Sequence, residues 1–325
     1  MNWFGFLNCR KPIGMTSRDL VNIATGAVRH QFRSHDSAKP GREDVSVKRK
    51  PPKVGHAGTL DPLAEGVLVL GIGGASRLTS YLQQTDKSYE ARFRLGCSSV
   101  SGDLEETVVP HPEMPVPTID QLRQAARGMT GRVRQTPPAH SAIKIGGRRA
   151  YQMAREGADV TVPSREVLIH EFQVTRYEYP DVWLRITCGS GTYIRTMGMD
   201  LAKRCHTAAV MTHLVRTRVG RFELDSAIDV ESLRQGEWVH HLCPAAIGVA
   251  HLPKLCLTTE QSWRIDHGLT LTAGEVDFAA PESLASQAAN VTDNAHVAAL
   301  DPDGRLRAIV TLRSDQWRPI RVFHD

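Results

Sequence analysis

The chain has 325 residues, 41% of them hydrophobic and 23% charged, with a formal net charge of +5. These are ordinary values for a soluble globular protein, with room for one large domain and a small one. No apolar run approaches the ~20 residues of a membrane span, and Met1–Arg10 lacks the basic start and small-residue cleavage site of a signal peptide.

Cysteines stand at Cys9, Cys97, Cys188, Cys205, Cys243 and Cys256 without a C-x-x-C pair, which predicts free thiols in a reducing cytoplasm. The charge is unevenly spread. Residues 29–53 hold eight Lys/Arg against three acids, 132–149 five against none, and 195–221 six against one. Each segment is +5, so the remainder of the chain is −10. One such cluster reads as a solvated face or loop; three on an otherwise acidic chain point to a polyanionic partner.

In chain order, Trp3–Cys9 reads as a first strand. Leu20, Ile23, Ala24, Ala27 and Val28 share one helical face, with Ser17 as its N-cap. Residues 29–53 are polar, basic and aperiodic and read as a long mobile loop. Val67–Gly73 reads as a short buried strand, followed by a helix of about ten residues with Leu78 and Leu82 inward. Tyr89, Ala91, Phe93 and Leu95 alternate with polar residues, the period of a half-buried antiparallel strand. Thr118 and Gln121 form a capping-box pattern for a helix that Gly128 ends. A short helix near Ala150–Arg155, strands over Val167–Tyr177 and Val182–Cys188, a helix from about Tyr193 and basic strands over Val210–Phe222 follow. Residues 251–325 read as a small β-rich module beyond a boundary near 240–252, with a surface loop at Pro281–Asn290.

The densest chemical signal lies in residues 55–66. Gly55, Gly58 and Gly66 surround one carboxylate, Asp61, at the mouth of the apolar strand. Glycines let a backbone turn sharply or approach a ligand closely, and desolvation there would make the carboxylate reactive. On pattern alone, Asp61 before Pro62 reads as an ordinary turn.

That segment resembles the catalytic loop of the tRNA pseudouridine synthase B (TruB) family, and four further stretches resemble the same family in the same order. They are Lys11, Pro12, Gly14, Thr16 and Ser17; then Asp86, Lys87 and Tyr89 leading to Leu95 and Gly96; then Ser190 to Arg195; then Leu214, Arg216, Thr217, Gly220 and Phe222. The likeness spans about residues 3–225, with a vaguer similarity beyond.

The resemblance implies a mixed α/β (α+β) pseudouridine synthase fold with a largely antiparallel central sheet, over residues 1–240. It implies an RNA-clamping insertion at 132–165 and a small PUA-like RNA-binding module at 251–325. It implies isomerisation of uridine to pseudouridine in the T-arm loop of tRNA, position 55 in tRNA numbering. The N1–C1′ bond breaks, the base rotates and a C5–C1′ bond forms; nothing is added or lost, so neither cofactor nor metal is expected. Asp61 stands where the family has its catalytic aspartate, attacking covalently or abstracting the ribose 2′ proton; both routes stay open. Arg195 matches the arginine that pairs with it, and Tyr89 the aromatic that stacks on the target base, its hydroxyl a candidate for proton transfer at C5. Tyr193 and Leu214 match residues lining the base pocket, and His56 one that fills the space left by the flipped base. Lys11 fits a structural or RNA-contact role, and Lys144, Arg148 and Arg149 fall in the clamp. The expected partner is the T-arm stem-loop, with no membrane, no obligatory protein partner and a monomeric chain in the cytoplasm.

Three features depart from the family pattern: Arg10 where an acid is usual, Val215 where an arginine is common, and a 29–53 loop about fifteen residues longer than usual. Two other patterns read as structural. Gly71, Gly73, Gly74 and Ser76 lack dinucleotide-loop spacing, and His240, His241 and Cys243 lack a second half of a metal site. The rival functions are a guide-RNA-dependent enzyme of ribosomal RNA and a tRNA-binding chaperone.

Overall fold

The computed structural model describes residues 3–37, 50–138, 144–145, 148–149, 162–278 and 295–324. Ten strands make the main sheet: β1 (Gly5–Lys11), β2 (Val54–His56), β3 (Ala64–Ile72), β4 (Lys87–Leu95), β5 (Gly131–Gln135), β6 (Arg165–Glu178), β7 (Asp181–Cys188), β8 (Ala209–Val219), β9 (Phe222–Glu223) and β10 (Leu242–Pro244). The order is β10-β1-β3-β8-β4-β7-β6-β5, with β2 beside β3 and β9 beside β8. Only β3 and β8 pair in parallel within this sheet. The sheet is therefore largely antiparallel and the chain mixed α/β.

Burial along each strand follows from what covers the sheet. β1 and β3 are buried on nearly every residue, because both faces are covered. On one face Leu7, Cys9, Leu68 and Leu70 pack under the apolar stripe of α1 (Ser17–Ser37), through Leu20, Ala24 and Val28. On the other, Phe6, Val67 and Val69 pack against Leu78 and Leu82. A continuous apolar run is what a doubly covered strand requires. β4 instead alternates strictly, because one face alone meets helices α3 (Ile119–Arg127) and α4 (Ile194–Arg204).

A second sheet is built from β11 (Lys254–Cys256), β12 (Leu271–Thr272), β13 (Asp277–Phe278), β14 (His296–Leu300), β15 (Leu306–Arg313) and β16 (Gln316–Val322), in the order β12-β16-β15-β14-β11-β13. It closes on its own core of Leu255, Ile265, Val297, Val310 and Trp317. Its other apolar residues, among them Ile309 and Phe323, join the cluster around Phe6, and Phe4 stacks on Phe323.

Several boundaries differ from the sequence reading. The first helix runs to Ser37, so residues 29–37 are helical rather than loop; residues 38–49 lie outside the described residues. Its N-cap is Thr16, whose hydroxyl accepts from the Asp19 amide while Asp19 accepts from the Thr16 amide; Ser17 is engaged elsewhere. The helix after β3 is a 3-10 turn, Gly73–Leu78, leading into the five-residue α2 (Thr79–Gln83). Residues 132–135 belong to the main sheet through β5, so the segment expected to be an insertion begins only after Gln135. Past residue 240 the chain still belongs to the main sheet, because β10 pairs with β1. The expected helix at 150–155 and loop at 281–290 lie outside the described residues. No helix among the described residues is long and apolar enough to cross a membrane.

Candidate active site

The loop from Ala57 to Leu63 joins β2 to β3 and is held from two sides. The 11–17 turn provides one side. Ser17 Oγ donates to the Leu60 carbonyl at 2.9 Å and accepts from the Leu60 amide at 2.8 Å. The Gly14 amide donates to the Pro62 carbonyl at 2.8 Å. Asp61 is thus gripped through both of its chain neighbours. The other side is Arg216 of β8. Its guanidinium donates to the carbonyls of Val67, Thr59 and Gly58 at 2.8, 3.4 and 3.2 Å. The close approach of β8 to β3 requires glycine at position 66, where φ is +105° and a Cβ would lie 2.3 Å from the Arg216 carbonyl oxygen.

The Asp61 side chain is 50% exposed. At that exposure it is not desolvated, as the sequence suggested it would be, and its direction is set by Arg195. Arg195 Nη2 donates to Asp61 Oδ2 at 2.7 Å, while Nη1 donates to the Ser101 carbonyl at 2.8 Å and lies 3.0 Å from Asp103 Oδ2. Asp103 is fully buried; its Oδ1 accepts from the Ser101 hydroxyl and the Glu105 amide. The guanidinium is therefore held by a buried carboxylate behind it and presents its other edge to Asp61. Charge-assisted bonds of this kind are short and directional. Gly102 lets the 101–103 turn lie against Arg195: φ there is +76° and a Cβ would meet Met199 Sδ at 2.6 Å.

Tyr89, Leu214, Leu60 and Ile194 are buried in one cluster beneath this pair. In register, Leu214 faces Ala64 and Ala91 on the strands to either side of β8, and Arg216 faces Tyr89. Burial raises the Tyr89 phenol above its ordinary value, so it stays protonated at neutral pH. Tyr193 is the N-cap of the helix that carries Arg195. His56, at the end of β2, is half-buried, and burial lowers its imidazole below the ordinary value.

Other expected residues are placed differently. Lys11 is fully buried and donates to the Pro12 and Met15 carbonyls at 2.9 and 2.6 Å. An ammonium committed to backbone carbonyls inside the fold has no face for a phosphate, so the RNA-contact role is corrected to a structural one. Burial lowers its pKa to about 8. Lys144, Arg148 and Arg149 lie on a two-rung hairpin, Lys144–Ile145 against Arg148–Arg149, whose side chains are outside the described residues. Arg10, the departure from the family acid, pairs with Glu65 at 2.9 Å. Among the described residues no three His, Cys, Asp or Glu side chains converge to hold a metal ion.

Asp103, Ser17 as loop clasp and Arg216 as loop anchor were not assigned these roles from the sequence. Ser17 and Arg216 sat inside recognised stretches, but only the fold shows their partners. Asp103 had one weak signal: a glycine and an acid in a turn shortly after the tyrosine strand.

The model of the TruB family pseudouridylate synthase N-terminal domain matches residues 45–194. A tRNA pseudouridine synthase B of Rhodopirellula baltica is 40% identical, over 98% of this chain and 94% of its own length. One of Moorella thermoacetica is 40% identical, over 82% of this chain and 83% of its own. A solved Cbf5-Nop10-Gar1 complex shares the fold at 22% identity and a TM-score of 0.70, over 99% of this chain and 84% of that one. The chain belongs to the TruB family of pseudouridylate synthases.

Two outcomes follow from this geometry. Ser17→Ala leaves the buried Leu60 amide and carbonyl without their partner and should destabilise the fold by about 2–3 kcal/mol; an unchanged urea midpoint would contradict the clasp. His56 should titrate, by NMR, below its ordinary value of 6.5. Because its folded pKa is the lower one, the stability it contributes is intact above the unfolded value and is lost as pH falls through the folded value. A midpoint at or above 6.5 would contradict the burial.

Proposed function

We propose that this chain isomerises uridine to pseudouridine in the T-arm loop of tRNA, at position 55, acting as a monomer without a partner protein or guide RNA, in the cytoplasm. The observation that carries this reading is Asp61, half-exposed yet oriented by Arg195 at 2.7 Å, above a buried floor of Tyr89 and Leu214.

The geometry suits the chemistry. Arg195 occupies Oδ2 of Asp61 and leaves Oδ1 to act. Covalent addition to the substrate and removal of the ribose 2′ proton both use that oxygen. The N1–C1′ bond then breaks, the base turns, C5 bonds to C1′ and gives up its proton, and N1 takes one up. Uridine in a folded loop must first leave its stack, at a cost of roughly a few kcal/mol, and the ring of Tyr89, fixed in its strand, provides a surface for the flipped base. Tyr193 lines the pocket and His56 occupies space vacated in the RNA loop.

The basic residues Lys144, Arg148 and Arg149, in the segment between β5 and β6, serve as the clamp. The C-terminal sheet, about 251–325, serves as a PUA-like RNA-binding module. The clamp reading is supported by the family relationship and by the basic charge of 132–149; the module reading is supported by the family relationship.

The test is a T-arm hairpin, its target-U-to-C variant and the purified chain with no other macromolecule. Wild type should form one pseudouridine in the first RNA and none in the second. Asp61→Asn should form none while its hairpin affinity stays within about twofold, because the amide keeps the pocket's shape but not the carboxylate's reactivity. Product from a clean Asp61→Asn preparation, or wild-type activity only with guide RNA and accessory proteins, would overturn the reading.

A further inference from the structure

β5 ends at Gln135 and β6 begins at Arg165, and these two residues are cross-strand partners. Both reach the turn that opens α4. Gln135 is fully buried. Its Oε1 accepts from the Tyr193 amide at 2.8 Å and its Nε2 donates to the Tyr193 carbonyl at 3.0 Å. This is the two-way exchange of a strand pair, made by one side chain. Arg165 donates to the Gly191 carbonyl and lies 5.3 Å over the Tyr193 ring. The same Tyr193 carbonyl accepts from the Met197 amide, a bond of the first turn of α4.

A primary amide at a fully buried position is costly unless both ends are paired. A leucine there would satisfy packing alone. Tyr193 has no side-chain cap bond of its own, so the start of this helix is fixed from a strand 58 residues away. Two residues further along the helix stands Arg195.

We infer that Gln135 is a positioning residue for the catalytic pair: it sets the start of α4, and through it the place of the Tyr193 ring and the Arg195 guanidinium, with Arg165 supporting the same turn. This rests on the reading of Asp61, Tyr193 and Arg195 as the site of uridine isomerisation. It also ties that site to the two strand ends from which residues 136–164 depart.

The test uses single-turnover rates on saturating T-arm hairpin, with hairpin Kd measured alongside. Gln135→Leu removes both bonds at similar volume. The rate should fall roughly 10- to 100-fold, the scale of a small misplacement of catalytic groups, with Kd within about twofold. Gln135→Glu supplies a conditional rescue. Its ionised carboxylate cannot donate to the Tyr193 carbonyl, whereas its protonated form both donates and accepts as the amide does, and burial brings that form into reach. The rate of Gln135→Glu relative to wild type should therefore climb as pH is lowered from about 8 to about 5.5. A purely structural role would lower the melting temperature but leave that ratio flat. Should Gln135→Leu fail to fold, the pH-dependent ratio decides. A wild-type rate in Gln135→Leu, a loss residing wholly in Kd, or a flat ratio would overturn the inference while leaving the functional reading intact. A wild-type chain that forms no pseudouridine would overturn both.

Discussion

A half-exposed carboxylate has no direction of its own, and the site depends on giving Asp61 one. The Arg195 guanidinium does this because it is itself held from behind, by the fully buried Asp103 and the Ser101 carbonyl. Buried charge is tolerated only where it is paired and hydrogen-bonded, and Asp103 meets that condition through Ser101, Glu105 and Arg195. The ion chain Asp103–Arg195–Asp61 thus transmits the rigidity of the interior to an atom at the surface.

The remainder of the fold keeps the two ends of this chain in register. The Asp61 end hangs on the loop between β2 and β3. Its backbone is bolted by Ser17 and Gly14 on one side and Arg216 on the other. The doubly covered strands β1 and β3 supply the firm base, since each buries apolar residues on both faces. The Arg195 end rides on the first turn of α4, packed on β4 through Met197 and Phe93. Glycines at 66 and 102 mark where backbone meets backbone or side chain too closely for any Cβ.

How much of this was legible in the sequence varies with the kind of signal. Period-two alternation in β4 and the capping box at Thr118 and Gln121 are local patterns, and the structure has both. The sequence suggests an end to the first helix near position 28 because residues 29–37 are polar and basic apart from Phe32; that one residue continues the stripe of Leu20, Ala24 and Val28, and the helix runs on to Ser37. Ser17 reads as a cap because a hydroxyl before an apolar face usually is one; its partner in the fold, Leu60, is 43 residues away. Lys11 reads as either structural or RNA-contacting because charge alone does not reveal burial, and the fold buries it fully. Asp103 and Gln135 act through contacts across 92 and 58 residues respectively, counted to Arg195 and Tyr193, and no local pattern marks such pairs.

The measurement that bears most directly on the account is a pseudouridine map of an unmodified, full-length tRNA transcript after incubation with the purified chain alone. The account predicts conversion at a single uridine in the T-arm loop. A transcript left unconverted by folded protein, or conversion scattered over uridines outside that loop, would contradict it.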